Sequence, residues 1–162
     1  MNKKRFTGIS FLFALLFLAS SAFGQIKDIG KFAAAGEGGI EDATKLMTAY
    51  ITPLANALGT SLSGGWYNTA KTHKPLGFDL TFTMNMGFVP ASEKTFNMSE
   101  LGLTTFTYDA DVAQTAAGKK EAGPELAYEV GGTQLVSFPS PQGTGLGFMP
   151  APMLQLSIGT VK

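Results

Sequence analysis

The sequence has no cysteine, a single histidine and a single tryptophan, and only 15% of its residues are charged. Without cysteine there is no disulfide framework, no thiol nucleophile and no thiolate metal site. With one histidine, neither a zinc ligand set nor a nucleophile–base–orienter triad can be assembled from the usual residues. That histidine, His73, lies between lysines in the turn "KTHKPLG" and reads as a solvated turn residue. Basic clusters are also scarce beyond the first five residues, so nucleic acid is not expected as a partner. The reading is of a protein that is not an enzyme, with no catalytic, cofactor-binding or metal-binding residues.

Long hydrophobic runs are missing too, apart from one. "FLFALLFLA" (Phe11–Ala19) follows a basic head, Lys3-Lys4-Arg5, and precedes the small residues Ala22 and Gly24. This is the pattern of a secretory signal peptide, and its apolar body is shorter than the roughly 20 residues a transmembrane helix needs. Residues 1–24 are therefore expected to be a leader and the mature chain to work outside the cytoplasm. Its removal takes three positive charges from a formally neutral chain, leaving −3.

What is present is glycine, phenylalanine and threonine, a composition that leans towards strands and turns. Residues 25–59 read as a polar lead-in followed by a helical segment. From Ile40, the residues Leu46, Met47, Tyr50, Ile51, Leu54 and Leu58 recur at three- and four-residue spacing, which makes one apolar helix face. Pro53 in a continuous helix would clash with the preceding turn. Two short helices are expected instead, with Thr52 capping the second and Gly59 ending it. This pair is read as a plug or rim element of the molecule.

Residues 60–162 form the β region. A hairpin is expected from Thr60 to Phe88, then strands in "SELGLTTFTY", through Leu126, Tyr128 and Val130 into "TQLVSF", and in the closing "MLQLSIGTVK". The informative stretch is "GFDLTFTMNMGF". Phe78, Leu80, Phe82, Met84, Met86 and Phe88 alternate with Asp79, Thr81, Thr83 and Asn85, giving one apolar and one polar face. Ten residue steps span roughly 33 Å, or roughly 25 Å when tilted, the height of the lipid-facing band of an outer-membrane barrel. Soluble strands cluster at about 5–6 residues. The apolar set is therefore expected to face lipid and the polar set a lumen. Charge at Phe82 or Met84 should damage folding in a bilayer, and charge at Thr83 should be tolerated. An antiparallel sheet with one face on a core and one in water gives the same alternation.

Other candidates have plain readings. Asp79 as a lumen carboxylate, Asp109 and Asp111 as loop acids, and Glu125 with Glu129 as a chance pair carry no assembled chemistry. "GTGLGF" (Gly143–Phe148) lies between Pro141 and Pro150 with no helix pattern after it, so it is a turn or extended loop and not a dinucleotide site.

The pieces "EDATKL" (Glu41–Leu46), "GGWYNTAKTHK" (Gly64–Lys74), "GFDLTFTMN" (Gly77–Asn85), "GPELAYEV" (Gly123–Val130) and "MLQLSIGTVK" (Met153–Lys162) are similar to a family of uncharacterised Gram-negative envelope proteins. The resemblance spans most of the mature chain. It implies a signal peptide, a short helical segment and then many strands of an outer-membrane barrel over a longer chain, so that this sequence would be its N-terminal part. It carries no activity and no functional residues. A likeness to long-chain fatty-acid transport barrels is analogy at the level of fold only. The expectation is a mainly β, antiparallel outer-membrane protein, non-enzymatic, contacting outer-membrane lipid and passing or binding a small apolar solute. The alternative is a soluble periplasmic or surface β-sheet binding module.

Overall fold

The computed structural model describes residues 29–67, 71 and 73–159. The leader, residues 25–28 of the lead-in and residues 160–162 lie outside them, and the rest of the lead-in, expected to be irregular, is helical. Among the described residues two helices come first, α1 (Ile29–Ala34) and α2 (Gly36–Ser63), separated by the turn residue Ala35, with Gly36 at a left-handed φ of 72° opening the second. Seven strands follow: β1 (Phe78–Phe88), β2 (Thr95–Asn97), β3 (Phe106–Tyr108), β4 (Val112–Gln114), β5 (Glu125–Val130), β6 (Thr133–Pro139) and β7 (Phe148–Ile158). They pair antiparallel in three small sheets, β1–β7, β2–β4 and β3–β5–β6. The fold is mainly antiparallel β with a helix, as expected; among the described residues no sheet closes into a barrel.

The helical segment departs from the sequence expectation. It is one helix through Pro53, not two, and it runs past Gly59 to Ser63. Thr52 does not cap anything; its hydroxyl donates to the Thr48 carbonyl at 2.6 Å. A mid-helix proline costs about 3 kcal/mol, but here Pro53 and the residues beyond it, Ala57 and Ser61, are buried. The turn before Pro53 is also used: the Tyr50 carbonyl accepts the amide of Ala116 at 2.8 Å. Burial on both sides of the proline outweighs the lost bond.

The expected apolar face of α2 divides. Leu46 is buried and Tyr50 and Leu54 are half-buried, whereas Met47, Ile51 and Leu58 are exposed. The positions packed deepest include small residues, Gly39, Ala57 and Ser61, because backbone comes close there. A Cβ on Gly87 of β1 would overlap the Ala57 carbonyl.

β1 has the predicted bounds, but its partner is β7 and not an upstream strand. Residues 60–63 finish α2 and 64–66 bend, so no hairpin begins at Thr60; residues 68–70 and 72 lie outside the described set. The register runs from Phe78↔Ile158 to Phe88↔Phe148 without a bulge. Of "SELGLTTFTY" only Phe106–Tyr108 is strand, Met98–Leu101 being a 3-10 turn. The loop after Tyr108 holds the short β4, and β7 begins earlier than expected, at Phe148.

Residues between β1 and β7 build a body of their own with α1 and the first half of α2. Its core is Leu46, Met98, Phe106, Ala113, Leu126 and Phe138. Phe32 of α1 meets Phe106 and Phe138 edge-on at 5.1 and 4.8 Å between ring centroids, an arrangement that aromatic quadrupoles favour. A smaller cluster, Ala57, Val89 and Ala117 with Leu54 and Met149, joins the body to the ladder.

Candidate functional site

The β1–β7 ladder presents two unlike faces. On one, Phe78, Leu80, Phe82, Met84, Met86 and Phe88 stand 48–75% exposed beside Leu154, Leu156 and Ile158 of β7 at 62–69%. Pro150 and Pro152 complete this face on β7, and Phe88 and Phe148 pair at one end with ring centroids 6.3 Å apart. On the other face Asp79, Thr81, Thr83 and Asn85 are half-buried. The C-terminal half of α2 and the bend after it lie over the upper part of this face. Gly64 and Gly65 come against Asn85, Thr83 and Met153, and the Gln155 amide donates to the Gly65 carbonyl at 3.1 Å. Asp79 accepts the Thr81 hydroxyl at 2.8 Å. Asn85 Nδ2 is buried without a hydrogen-bond partner. The helix therefore covers the polar face and leaves the apolar one open.

The edges of the ladder are also unlike. Gly77 with Gly159 and Val89 with Gly147 continue the register, and their backbone bonds are Gly159 N–H to Gly77 O at 2.7 Å and Val89 N–H to Gly147 O at 2.9 Å. Odd-numbered residues thus exchange the ladder bonds, and even-numbered ones point their amides outward. On β1 every outward position carries an N–H. On β7 two of them, Pro150 and Pro152, do not.

Asp42 lies on α2. It is 0% exposed, and its carboxylate accepts the amides of Thr104, Thr105 and Phe106 at 2.8–3.1 Å. Lys45 Nζ is farther, at 3.9 Å. The acid ties α2 to the start of β3. Its signal in the sequence is slight, because the amides it serves are more than sixty residues away.

An apolar cavity of about 80 Å³ lies between α2 and the β body, lined by Phe32, Leu46, Met47, Phe96 and Leu126 among others. Ser140 is part of its lining, and the Ser140 hydroxyl is buried with no partner. On the far side of Phe96 is a wider polar cleft between Pro53 and Asn56 of α2 and residues 92–100.

The remaining candidates are not brought together. His73 is half-buried in the turn before β1, and among the described residues no group of three or more His, Cys, Asp or Glu side chains gathers to hold a metal. Asp109 accepts the Glu125 amide at 2.8 Å, and Glu125 accepts the Ser137 hydroxyl at 2.7 Å. Glu125 and Glu129 sit four residues apart on a strand, about 13 Å. "GTGLGF" is an extended loop that docks by backbone bonds from Thr144 to Ala116 and Gly145 to Gly118. Among the described residues no helix is long and apolar enough to cross a membrane, which leaves strands untouched as a means of crossing.

These features define an antiparallel β protein with a long helix laid on the polar side of an apolar-faced ladder. The chain belongs to the family of unknown function DUF6588, which matches residues 1–162. No curated protein matches it, and no solved structure does.

Proposed function

We propose that this protein is a non-enzymatic outer-membrane protein in which the outer face of the β1–β7 ladder meets acyl chains, α2 lies on the inner side of that wall, and a small apolar solute is bound or passed. One observation carries the reading: the helix packs on the polar face of the ladder and leaves the apolar face uncovered. In a water-soluble pair of layers the burial of apolar area, worth roughly 25 cal/mol per Å², puts the helix on the other side. Lipid removes that preference, and an eleven-residue strand has the length to cross it. The amino-terminal leader pattern supports export. In this reading the two free edges are joined by further strands, since single-chain barrels of this membrane have at least about eight.

The soluble periplasmic or surface module is kept as a second reading because the body between β1 and β7 has a closed core that needs no lipid. Fluorescence separates the two. In a Trp66→Phe background, tryptophan is placed at Phe82 or at Thr81 and the protein is refolded with vesicles carrying brominated acyl chains. Strong quenching at position 82 and weak quenching at 81 is the expected result. Equal quenching at both, or protein that does not float with the vesicles, moves the chain to the soluble reading.

A further inference from the structure

We infer that the open edge of β1 pairs, antiparallel and about a two-fold axis, with the β1 edge of a second copy of this chain. This deepens the preceding reading by naming the strand that meets β1, and it rests on that reading only for the lipid that covers the apolar face.

The two edges of the ladder are not equivalent. Among the described residues no strand pairs with the outer edge of β1 or of β7. The outward amides of β1 belong to its even-numbered residues, none of them proline, so an incoming strand meets an unbroken row of donors and acceptors. On β7, Pro150 and Pro152 break that row. Joining β1 of one copy to β7 of the next would be head-to-tail and would grow into a filament, which the prolines oppose. Pairing β1 with β1 uses one edge of each copy and closes at two.

The sequence of β1 is also self-complementary. A two-fold pairing over its full length is centred on Thr83, so Phe78 faces Phe88 of the second copy and Leu80 faces Met86. Phe88 already meets Phe148 across the ladder in this way, at 6.3 Å between ring centroids. Asp79, the charged residue of β1, falls opposite Gly87, so like charges do not meet. Parity agrees as well. Bonding by even residues on both copies sets even opposite even, and the even side chains are the exposed apolar ones. The four-stranded sheet β7–β1–β1–β7 therefore keeps one continuous apolar face and one polar face.

The test uses the full chain in a non-ionic detergent, which covers the apolar face without offering a strand, at fewer than one chain per micelle. Sedimentation velocity is expected to give twice the chain mass. Leu80→Pro with Met86→Pro removes outward amides of β1, as Pro150 and Pro152 do on β7, and spares the ladder bonds, which odd residues make. This variant is expected to sediment as a monomer with the amides of Phe106 and Leu126 still protected from exchange. Single cysteines test the register without risk to the fold, since in a cysteine-free chain they can link only one copy to another. Thr83→Cys places the two Cα atoms about 4.5 Å apart on the axis, within disulfide reach, and Thr81→Cys places them about 13 Å apart. Mild oxidation is expected to link the first variant and not the second. A wild-type monomer overturns the inference, whether its even β1 amides exchange freely or are protected by another part of the chain. A folded double-proline variant that stays dimeric, or equal linking at 81 and 83, overturns it too. If the double-proline variant does not fold, the cysteine pair decides. The lipid-facing reading is judged separately by the quenching at position 82: a dimer without quenching sinks that reading alone, and quenching with a monomer sinks only this inference.

Discussion

Asp42 holds the molecule together at a point where a short side chain does the work of a strand. A carboxylate without solvent contact is stable only if its oxygens are met, and three consecutive amides meet them here. Asp42→Ala removes the acceptor and leaves those donors unsatisfied, so it should cost about 3 kcal/mol or more in denaturant unfolding. Lys45→Ala should cost under about 1 kcal/mol, because the Lys45 ammonium is part-exposed and lies 3.9 Å away. A reversal of that order would mean that the ion pair, not the amides, stabilises the acid. Gly87 is the second residue of this kind, placed where β1 runs against the Ala57 carbonyl. Gly87→Val should lower stability by about 1–3 kcal/mol through overpacking, read as a fall in melting temperature. Neither role was visible in the chain, because each is defined by a partner distant in sequence.

At the scale of elements the β1–β7 ladder makes the sharpest predictions. Lysine at Phe82 should destabilise the protein in a bilayer by about 2–4 kcal/mol, and lysine at Thr81 should cost much less. Thr81 replaces Thr83 as the polar-face control because the Thr83 methyl lies against Gly65, where a lysine would disturb packing. Equal losses at 81 and 82 in lipid-based unfolding experiments would remove the lipid-facing assignment. The edge of β7 makes a separate prediction. Pro150 and Pro152 withhold two outward amides, and proline on an exposed edge blocks pairing with another chain. The double substitution Pro150→Thr with Pro152→Thr should raise self-association in lipid-free solution, seen as faster growth of light scattering. Unchanged scattering would show that the other edge, on β1, governs association. Much of this element was legible beforehand: the bounds of β1 and the two faces follow from alternation alone. Its partner was not, since the β7 residues Phe148–Pro152 carry two prolines and sit in a proline- and glycine-rich stretch that reads as loop.

The whole molecule combines a self-supporting body with a ladder whose apolar face has no cover among the described residues. Hydrogen exchange should resolve the two. Amides of the body, such as Phe106, Leu126 and Phe138, should be protected with or without vesicles, since they belong to a closed core. Ladder amides at odd positions should gain protection when vesicles are added. Outward amides at even positions of β1 should gain it only when another strand pairs with that edge. Body amides that become protected only with lipid would show that the body does not stand alone.

The sequence by itself determined the antiparallel β class, the span and alternation of β1, the strand character of the β5 and β6 segments and the extended loop that begins at Gly143. Each of these is a local property, set by side-chain parity, by turn residues or by proline and glycine. The tertiary structure alone decided that α2 runs through Pro53, that Asp42 serves distant amides, that β1 pairs with β7, and that the helix covers the polar side of the ladder. Those outcomes depend on which segments meet. Close approach of small residues such as Gly87 and Ala57, and hydrogen bonds between distant backbone groups, leave no periodicity in hydropathy to read.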